Sequence, residues 1–400
     1  MNNIKYFFKT KHFFILLCVL VTLLIRLPFL VPNIDFNNDA PTYSENMKKP
    51  FFGGNYDVQP PGYVSFIYLG RFLHIFIENP VIIQHIINMF LVALISFAFF
   101  ELLMLFGFLF YEASLFTIIF SLNDVLLLGS ITGGNRLFLT LCTILTIYLS
   151  IKIIIHDKKN LILLFGLIIA FFMGFRQDIS FMFIPLYIFL FFVIKDFKLI
   201  ILSLLIFGVV CVTWFIPLVL EYGGFYSYIM VIKNQKAVYD SSLIFSGVSL
   251  SPILNISRVF VYMFNSLLFV LPFFIYSIYK KQFYIPKNIL IILIFCFIPA
   301  FLFQLFVHNG NFVHLAAILT QLFIFLIFNF RINSKPKIIY SIIIMFFLLF
   351  QFFGVKMFQN PNFTQKIVNV LWLQYTYDGV KSGETLRLRQ LENEFKEKTE

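Results

Sequence analysis

A polar segment that follows the first long apolar stretch of the chain carries an acidic residue at a position suited to chemistry. In the sequence DAPTY, Asp39 lies four residues before Tyr43 and just ahead of Pro41. Proline is favoured in the first turn of a helix, so the segment predicts a short helix that begins near Pro41. The helix dipole stabilises a carboxylate at this end as its anion, the form that can accept a proton. Asp39 is thus the first candidate for a reactive group, and Asp35, which could cap the same helix, is the alternative.

Two arginines further along the chain have the geometry that phosphate binding requires. Arg136 lies in SITGGNRLF and Arg176 in FRQD, each next to the end of an apolar stretch. A planar guanidinium group contacts two phosphate oxygens at once, and Asp178 adds a carboxylate two residues after Arg176. The competing interpretation is that these arginines only anchor helix ends at a membrane surface, with the stem in lipid and the charge in water.

The composition indicates that membrane-spanning helices hold these residues. The chain has 400 residues, of which 60% are hydrophobic and only 12% charged, whereas soluble domains contain about 25% charged residues. Apolar runs of about 18 residues or more recur along the chain, which is typical of transmembrane helices. We therefore predict an all-α polytopic membrane protein. The net charge of +11 is concentrated in short loops, where it sets orientation in the bilayer, and we expect no nucleic-acid partner.

The hydropathy pattern predicts about eleven spans. The third is the least well defined, because the turn around Gly107 is short and apolar. The first is too long for a typical signal peptide, and we expect it to be retained. Residues 1–355 would form one transmembrane domain and residues 356–400 a polar tail. The predicted spans are 12–31, 80–100, 103–122, 137–155, 161–175, 179–194, 199–220, 257–279, 289–306, 313–330 and 338–355.

Basic residues occur in every second connection between these spans. They are concentrated in the connections on the same side as the N-terminus, and an excess of lysine and arginine marks the cytoplasmic side. We therefore predict a protein of the bacterial cytoplasmic (inner) membrane, with a cytoplasmic N-terminus. The active site and the C-terminal tail would be extracytoplasmic. The predicted outer polar segments are 32–79, 123–136, 175–178, 221–256 and 308–314.

The second half of the first outer loop has the pattern of a helix that lies on the membrane. The stretch QPPGYVSFIYLGRFLHIF begins with Gln59, Pro60 and Pro61 and continues as an amphipathic run that includes Arg71. Such a run favours the membrane interface over a crossing position. It would hold loop 32–79 flat against the bilayer, where the head group of a lipid-borne substrate arrives.

In these residues the chain resembles the GT-C membrane glycosyltransferases, in particular the protein O-mannosyltransferases and the lipid A aminoarabinose transferases. The resemblance rests mainly on Asp39 and Tyr43 after the first span, followed by two prolines at the start of an interfacial helix. Two later stretches, FMGFRQDISFMFIPLYIFLF and HNGNFVHLAAILT, are similar to later spans of the family. The resemblance covers about residues 30–330, and the chain lacks the family's proline after His314.

The resemblance implies a fold and a reaction. The fold would be a GT-C-like bundle with interfacial helices in its first outer loop. The enzyme would move a sugar from a polyprenyl-phosphate donor to a hydroxyl group of an acceptor glycan, lipid or protein. The reaction would invert the anomeric centre, with Asp39 as the general base. No nucleotide cofactor is expected, because the chain has no DxD motif in a cytoplasmic stretch. Whether the reaction needs a divalent metal is left open. The substrate-binding residues would be Tyr43, Gln59, Tyr63, Arg136, Arg176, Asp178 and His308.

The chain departs from the family at two positions. Gln59 stands where relatives have lysine or histidine before the two prolines, so it can donate hydrogen bonds but carries no charge. The turn before Arg136 lacks the second acid of many relatives, and the nearest acid is Asp124. Binding of the donor phosphate would therefore depend on Arg136 and Arg176.

Two other functions stay open. A flippase or transporter of lipid-linked glycans needs ionisable residues at mid-membrane depth or interrupted spans. Few glycines and prolines interrupt the spans, Pro185 and Pro299 among them, and the acids are concentrated in one outer loop, which favours the enzyme. A polymerase or ligase typically has a long outer loop late in the chain, and segment 221–256 keeps that function open. His308 and His314, six residues apart with no acid between them, favour an interfacial role over a metal site.

Labelling of single cysteines, introduced into a variant without the four native ones, tests the predicted sidedness. In Lys48→Cys, within the first outer loop, the thiol should react with a membrane-impermeant maleimide in intact cells. In Lys158→Cys it should react only after permeabilisation, because basic connections face the cytoplasm. The reverse pattern would place the acidic loop in the cytoplasm and exclude a reaction at the outer face.

Overall fold

The computed structural model describes residues 10–27, 40–52, 56, 58, 62–131, 133–234, 285–307 and 316–328, with isolated residues between 256 and 279. Every regular element in this part of the chain is a helix. The predicted span 338–355 and the tail 356–400 lie outside the described residues, and the predicted span 257–279 is described only at isolated positions.

Thirteen α-helices make up the described part. A π-helical turn, Phe303–Val307, directly follows the twelfth. In chain order they are α1 (Lys11–Arg26), α2 (Ala40–Lys48), α3 (Val64–His74), α4 (Pro80–Leu105), α5 (Phe110–Ser121), α6 (Asp124–Ile131), α7 (Leu137–Ile154), α8 (Leu161–Phe175), α9 (Ile179–Ile194), α10 (Phe197–Glu221), α11 (Phe225–Asn234), α12 (Lys287–Leu302) and α13 (Ala316–Phe328).

Four of these helices are long and apolar enough to cross a membrane. They are α4, α7, α10 and the stretch Lys287–Phe306 that includes α12. Four more, α5, α8, α9 and most of α13, are apolar but shorter. The apolar helices α4 and α7 to α10 begin and end within a few residues of predicted spans, so the described residues confirm an α-helical protein with membrane-spanning helices.

The predicted span 103–122 is wrong at its start. Helix α4 continues to Leu105, and the chain then turns at Gly107, whose φ of 80° lies in the left-handed region. A residue without a Cβ adopts this conformation at little cost. The span therefore starts later than predicted, at Phe110, whereas its predicted end agrees with the end of α5 at Ser121; α6 begins at Asp124.

Helix α7 lies at the centre of the bundle and α10 at its periphery. Fourteen of the eighteen residues of α7 are buried, and it packs against α4, α8, α9, α12 and α13. In α10, which has 25 residues, the buried residues are Ser203, Leu218 and Glu221. Its exposed apolar side chains form a surface suited to lipid chains.

Helices α8 and α10 pack closely but end at different heights. The Ser203 hydroxyl donates to the Ile162 carbonyl (2.8 Å), and the Trp214 indole N–H donates to the Ala170 carbonyl (2.9 Å). Gly174, near the end of α8, packs against Trp214, and α10 then continues to Glu221. At 1.5 Å per residue, the part of α10 from Trp214 to Glu221 extends about 10 Å beyond the end of α8.

The space above the short helix α8 is filled by α3. A Cβ added at Gly174 would lie 2.8 Å from Trp214 Cγ and closer still to the Ser65 hydroxyl of α3. Helix α3 also packs against α2, α4 and α10. The absence of a side chain at Gly174 therefore lets the first loop sit on the end of α8.

Two glycine substitutions test this packing. Gly174→Ala should destabilise the protein by about 1–3 kcal/mol, because the new methyl group has no space between Ser65 and Trp214. Gly208→Ala, on α10, is the matched control: a Cβ there meets nothing within 4 Å, and alanine favours a helix over glycine by about 1 kcal/mol. Thermal unfolding in detergent should separate the two. Equal melting temperatures would contradict this packing.

Candidate functional site

Buried polar and charged groups gather at one end of the helix bundle. Helices α2 and α3, the turn 133–136, the connection 176–178 and the last residue of α10 meet there. The opposite end carries a different pair, in which Lys11 Nζ lies 2.8 Å from Glu101 Oε2. The described parts of four segments that the sequence predicted to share one face of the membrane, 32–79, 123–136, 175–178 and 221–256, thus meet at one end of the bundle, and segment 308–314 lies outside the described residues.

The first turn of α2 is fixed to this end by Gln84 of α4. The Gln84 side-chain nitrogen donates to the Ala40 carbonyl (3.1 Å) and lies 2.8 Å from the Ser44 hydroxyl oxygen. Its side-chain oxygen accepts the backbone N–H of Gly134 (2.8 Å). Ala40 is fully buried. The short helix predicted near Pro41 is confirmed and begins at Ala40.

Three of the candidate residues lie outside the described residues. They include the proposed base Asp39, which directly precedes Ala40 in the sequence. The three are Asp39, Gln59 and His308, and the alternative acid Asp35 is also outside.

Arg176 is held by a carboxylate at the point where the sequence predicted a phosphate ligand. Its Nε and Nη2 donate to the two oxygens of Asp178, at 3.0 and 2.6 Å. Its Nη1 donates to the Asn135 side-chain oxygen (3.3 Å). Burial alone would lower the pKa of Arg176, but the Asp178 carboxylate outweighs burial and the pKa is raised. A phosphate reaching Arg176 therefore has to share the guanidinium group with Asp178.

The structure brings the two candidate tyrosines to the same place. The rings of Tyr43 and Tyr63 meet edge to face with centroids 5.9 Å apart, and Tyr43 also packs on Phe66. The Arg176 guanidinium lies 5.9 Å from the centroid of the Tyr63 ring. Four predicted substrate-binding residues, Tyr43, Tyr63, Arg176 and Asp178, are thus neighbours.

The glycine pair before Arg136 forms the turn that joins this group. Gly133 and Gly134 have φ values of 69° and 90°, a region that residues with a Cβ rarely adopt. The Asn135 side chain that follows donates to the Phe175 carbonyl (2.8 Å). Arg136 is buried at the start of α7. The turn 133–136 thus links α2, α7 and the end of α8.

Sequence analysis missed a buried ion pair between Arg71 of α3 and Glu221 of α10. Arg71 Nη1 donates to Glu221 Oε1, and both side chains are almost completely excluded from solvent. Arg71 Nε donates to the Asn46 carbonyl (3.0 Å). The same Glu221 oxygen accepts the Phe52 backbone N–H (3.0 Å) and the Tyr68 hydroxyl (2.8 Å). The acid thus binds the first loop at three points.

Aromatic rings cover this ion pair. The Arg71 guanidinium carbon lies between 5.3 and 5.9 Å from the ring centroids of Phe51, Tyr56 and Tyr68. Burial raises the pKa of the Tyr56 and Tyr68 phenols above the ordinary value, so both stay neutral donors. A buried ion pair offsets its desolvation cost only when further hydrogen bonds satisfy it, and here the loop supplies them.

A second missed arginine lies where α5 ends and α6 begins. Arg26 is completely buried at the end of α1. It donates to the Ser121 carbonyl at the end of α5 (2.6 Å), to the Ser130 hydroxyl of α6 (2.7 Å) and to the Thr22 carbonyl (2.9 Å). It therefore satisfies a terminal helix carbonyl that would otherwise be unpaired.

Within the described ranges, no three histidine, cysteine, aspartate or glutamate side chains lie close enough to hold a metal ion. The cluster that does form combines arginines, carboxylates paired with them, amides and tyrosines. Such a set can bind a phosphate and hydroxyl groups. The sequence left open whether a divalent metal takes part, and the described residues contain no ligand set for one.

Comparison of the chain with known protein families, with curated proteins and with solved structures found no match in any of the three.

Removal of one partner tests the buried ion pair. Glu221→Gln should lower stability by about 3–5 kcal/mol, because it leaves the Arg71 charge buried without a counter-ion. The matched control is Glu45→Gln, which breaks the exposed pair with Lys48 and should change stability by less than about 1 kcal/mol.

A double variant completes this test. Arg71→Met combined with Glu221→Leu removes both charges and should be more stable than Glu221→Gln alone. Thermal unfolding in detergent provides the measurement. A Glu221→Gln protein as stable as the wild type would show that the pair does not hold the loop.

Proposed function

We propose that the chain is a membrane glycosyltransferase that moves a sugar from a polyprenyl-phosphate donor to an acceptor hydroxyl group at the outer face of the membrane. In this proposal the bundle is GT-C-like with about eleven spans, and the membrane is the cytoplasmic membrane of a bacterium. The acceptor is a glycan, a lipid or a protein. Asp39 is the general base, and the reaction inverts the anomeric centre.

One observation carries the proposal: the start of α2 is fixed next to the arginine and tyrosine cluster. Gln84 joins the Ala40 carbonyl to Gly134, and the adjoining Asn135 binds Arg176. Asp39 directly precedes Ala40 in the sequence. A helix start that is fixed beside cationic and aromatic side chains, and that an acid precedes in the sequence, supports a reaction between a lipid phosphate and a hydroxyl group.

The proposed chemistry needs only one base. The acceptor oxygen attacks the anomeric carbon from the face opposite the phosphate, and its proton passes to the Asp39 carboxylate. The bond between the anomeric carbon and the phosphate oxygen breaks, and its electron pair leaves with polyprenyl phosphate. The leaving group is a stable anion and needs no proton. Arg136 and Arg176 would stabilise its charge, with Asp178 orienting Arg176.

The surface beside the cluster supports a lipid-borne donor. Helix α10 presents exposed apolar side chains along most of its length, from Phe197 to Leu220. Its end is joined to the first loop by Glu221. A polyprenyl chain could lie along such a helix in the bilayer while its phosphate reaches the arginines.

A flippase or transporter of lipid-linked glycans is the second candidate, and one observation favours it. The interruption between α5 and α6, with the buried Arg26 bound at the end of α5, combines an interrupted span with an ionisable side chain. Both features are expected in transporters. The polymerase or ligase alternative depended on segment 221–256, of which residues 235–255 lie outside the described residues.

Asp39→Asn tests the proposed base. The purified variant should retain binding of a polyprenyl-phosphate sugar and lose turnover by about 10²–10⁴-fold, because the amide cannot accept the proton. Asp35→Asn is the matched control and should keep its activity. Transfer to an acceptor is measured by mass spectrometry of the products.

Two results would contradict this proposal. Wild-type turnover in Asp39→Asn, together with loss in Asp35→Asn, would move the base to Asp35. Movement of the lipid across liposome membranes without sugar transfer would favour the flippase, and Arg26→Gln should then stop that movement.

A further inference from the structure

Helix α11, which follows the end of α10, has an apolar face that is partly open to its surroundings. None of its ten residues is buried. Phe225 is 59% exposed and Ile232 37%. The spacing i, i+3, i+4 and i+7 places side chains on one face of a helix. In α11 the side chains with this spacing are Phe225, Tyr228, Ile229 and Ile232.

Two glycines change the direction of the chain between α10 and α11. Gly223 and Gly224 have φ values of 80° and 114°, a region in which residues with a Cβ are strained. The Gly224 N–H donates to the Val219 carbonyl (2.8 Å), and the Gly223 N–H donates to the Leu220 carbonyl (3.0 Å). Hydrogen bonds of this kind are typical of a glycine that ends a helix. Helix α11 therefore does not continue the axis of α10.

Ring contacts show where α11 begins after this turn. The Tyr228 ring lies 5.3 Å from the Tyr222 ring and 6.3 Å from the Phe215 ring, measured between centroids. Phe215 precedes Tyr222 by seven residues of α10, which is about 10 Å of helix. The first turn of α11 thus lies beside the last two turns of α10 and does not project from the end of the bundle into water.

The part of α10 that α11 contacts is exposed and apolar. Phe215 is 36% exposed, Ile216 51% and Leu220 54%, and α10 is one of the helices long and apolar enough to cross a membrane. Because Phe215 belongs to this surface and also contacts Tyr228, the apolar face of α11 continues the lipid-facing side of α10. Lipid that surrounds α10 at this level therefore also reaches α11.

The composition of α11 matches the boundary between lipid chains and water. Its one charged residue, Lys233, lies in the last turn, and its ammonium group complements a lipid phosphate. Tyr226 is 76% exposed, and tyrosine is enriched at the level of the lipid head groups. An amphipathic helix with these features lies in the interface and buries its apolar face about 5–10 Å deep.

We infer that α11 lies in the phospholipid interface at this end of the bundle, parallel to the membrane. Phe225 and Ile232 contact the lipid chains, and Lys233 lies at the lipid phosphates. The first part of segment 221–256, which the sequence predicted to be an outer polar segment, is then part of the membrane-binding surface. Glu221, just before the turn, lies at the level of the head groups. The inference does not rest on the proposed function.

Fluorescence quenching of single labels in proteoliposomes tests this inference. The full-length protein without its native cysteines carries an environment-sensitive fluorophore at Phe225→Cys or Ile232→Cys. The vesicles, of phosphatidylethanolamine and phosphatidylglycerol, contain a lipid with a nitroxide on its acyl chain next to the glycerol, and iodide is the aqueous quencher. Both labels should lose most of their fluorescence to the nitroxide and little to iodide. The losses should be similar at the two positions, because a parallel helix holds both at one depth.

Ser227→Cys and Asn234→Cys are the matched controls. These two residues are also seven positions apart, and they lie on the face opposite Phe225 and Ile232. Their labels should show the reverse pattern, with loss of fluorescence to iodide and little loss to the nitroxide. Because none of the four side chains is buried, the labelled proteins should have the melting temperature of the unlabelled one.

Three results would overturn the inference. Quenching by iodide at all four positions would show that α11 is a solvated helix. Protection of positions 225 and 232 from both quenchers would show that protein covers the apolar face, either another part of this chain or a second copy. Much stronger quenching at 232 than at 225 by a nitroxide at the end of the acyl chain would show that α11 dips into the bilayer. None of these readouts depends on sugar transfer.

Discussion

The buried ion pair between Arg71 and Glu221 is the interaction on which the arrangement of this end of the protein depends. It joins α3 in the first loop to the last residue of α10. The same carboxylate also binds Phe52 and Tyr68, so a single acid orders more than one part of the loop. Inside a low-dielectric region such a pair persists only with these added hydrogen bonds, and the loop and the helix end therefore stabilise each other.

The difference in length between α8 and α10 makes room for the first loop, because α3 fills the space above the end of α8. Helix α8 ends near Trp214, about 10 Å below the end of α10, and the connection that carries Arg176 starts from this lower level. Arg71 and Arg176 thus stand at two heights, and each has its own carboxylate.

Local signals predicted well what contiguous residues encode. The spans 161–175 and 179–194 agree with α8 and α9, because length and apolar content determine them. The short helix near Pro41 followed from proline chemistry. The end of the third span was predicted at residue 122, and α5 ends at Ser121. The hydrogen bond from Arg26 to the Ser121 carbonyl escaped prediction, because the two residues are far apart in the sequence.

The sequence by itself determined the all-helical class, the apolar helices long enough to cross a membrane and most helix bounds, since composition and hydropathy are properties of neighbouring positions. Only the tertiary structure decided how the charges pair. Arg71 and Glu221 are 150 residues apart, and Asp178 binds Arg176, for which the sequence offered a phosphate ligand or a role as a membrane anchor. Pairing depends on which helix ends meet and at what height, and helix packing, not local pattern, sets both.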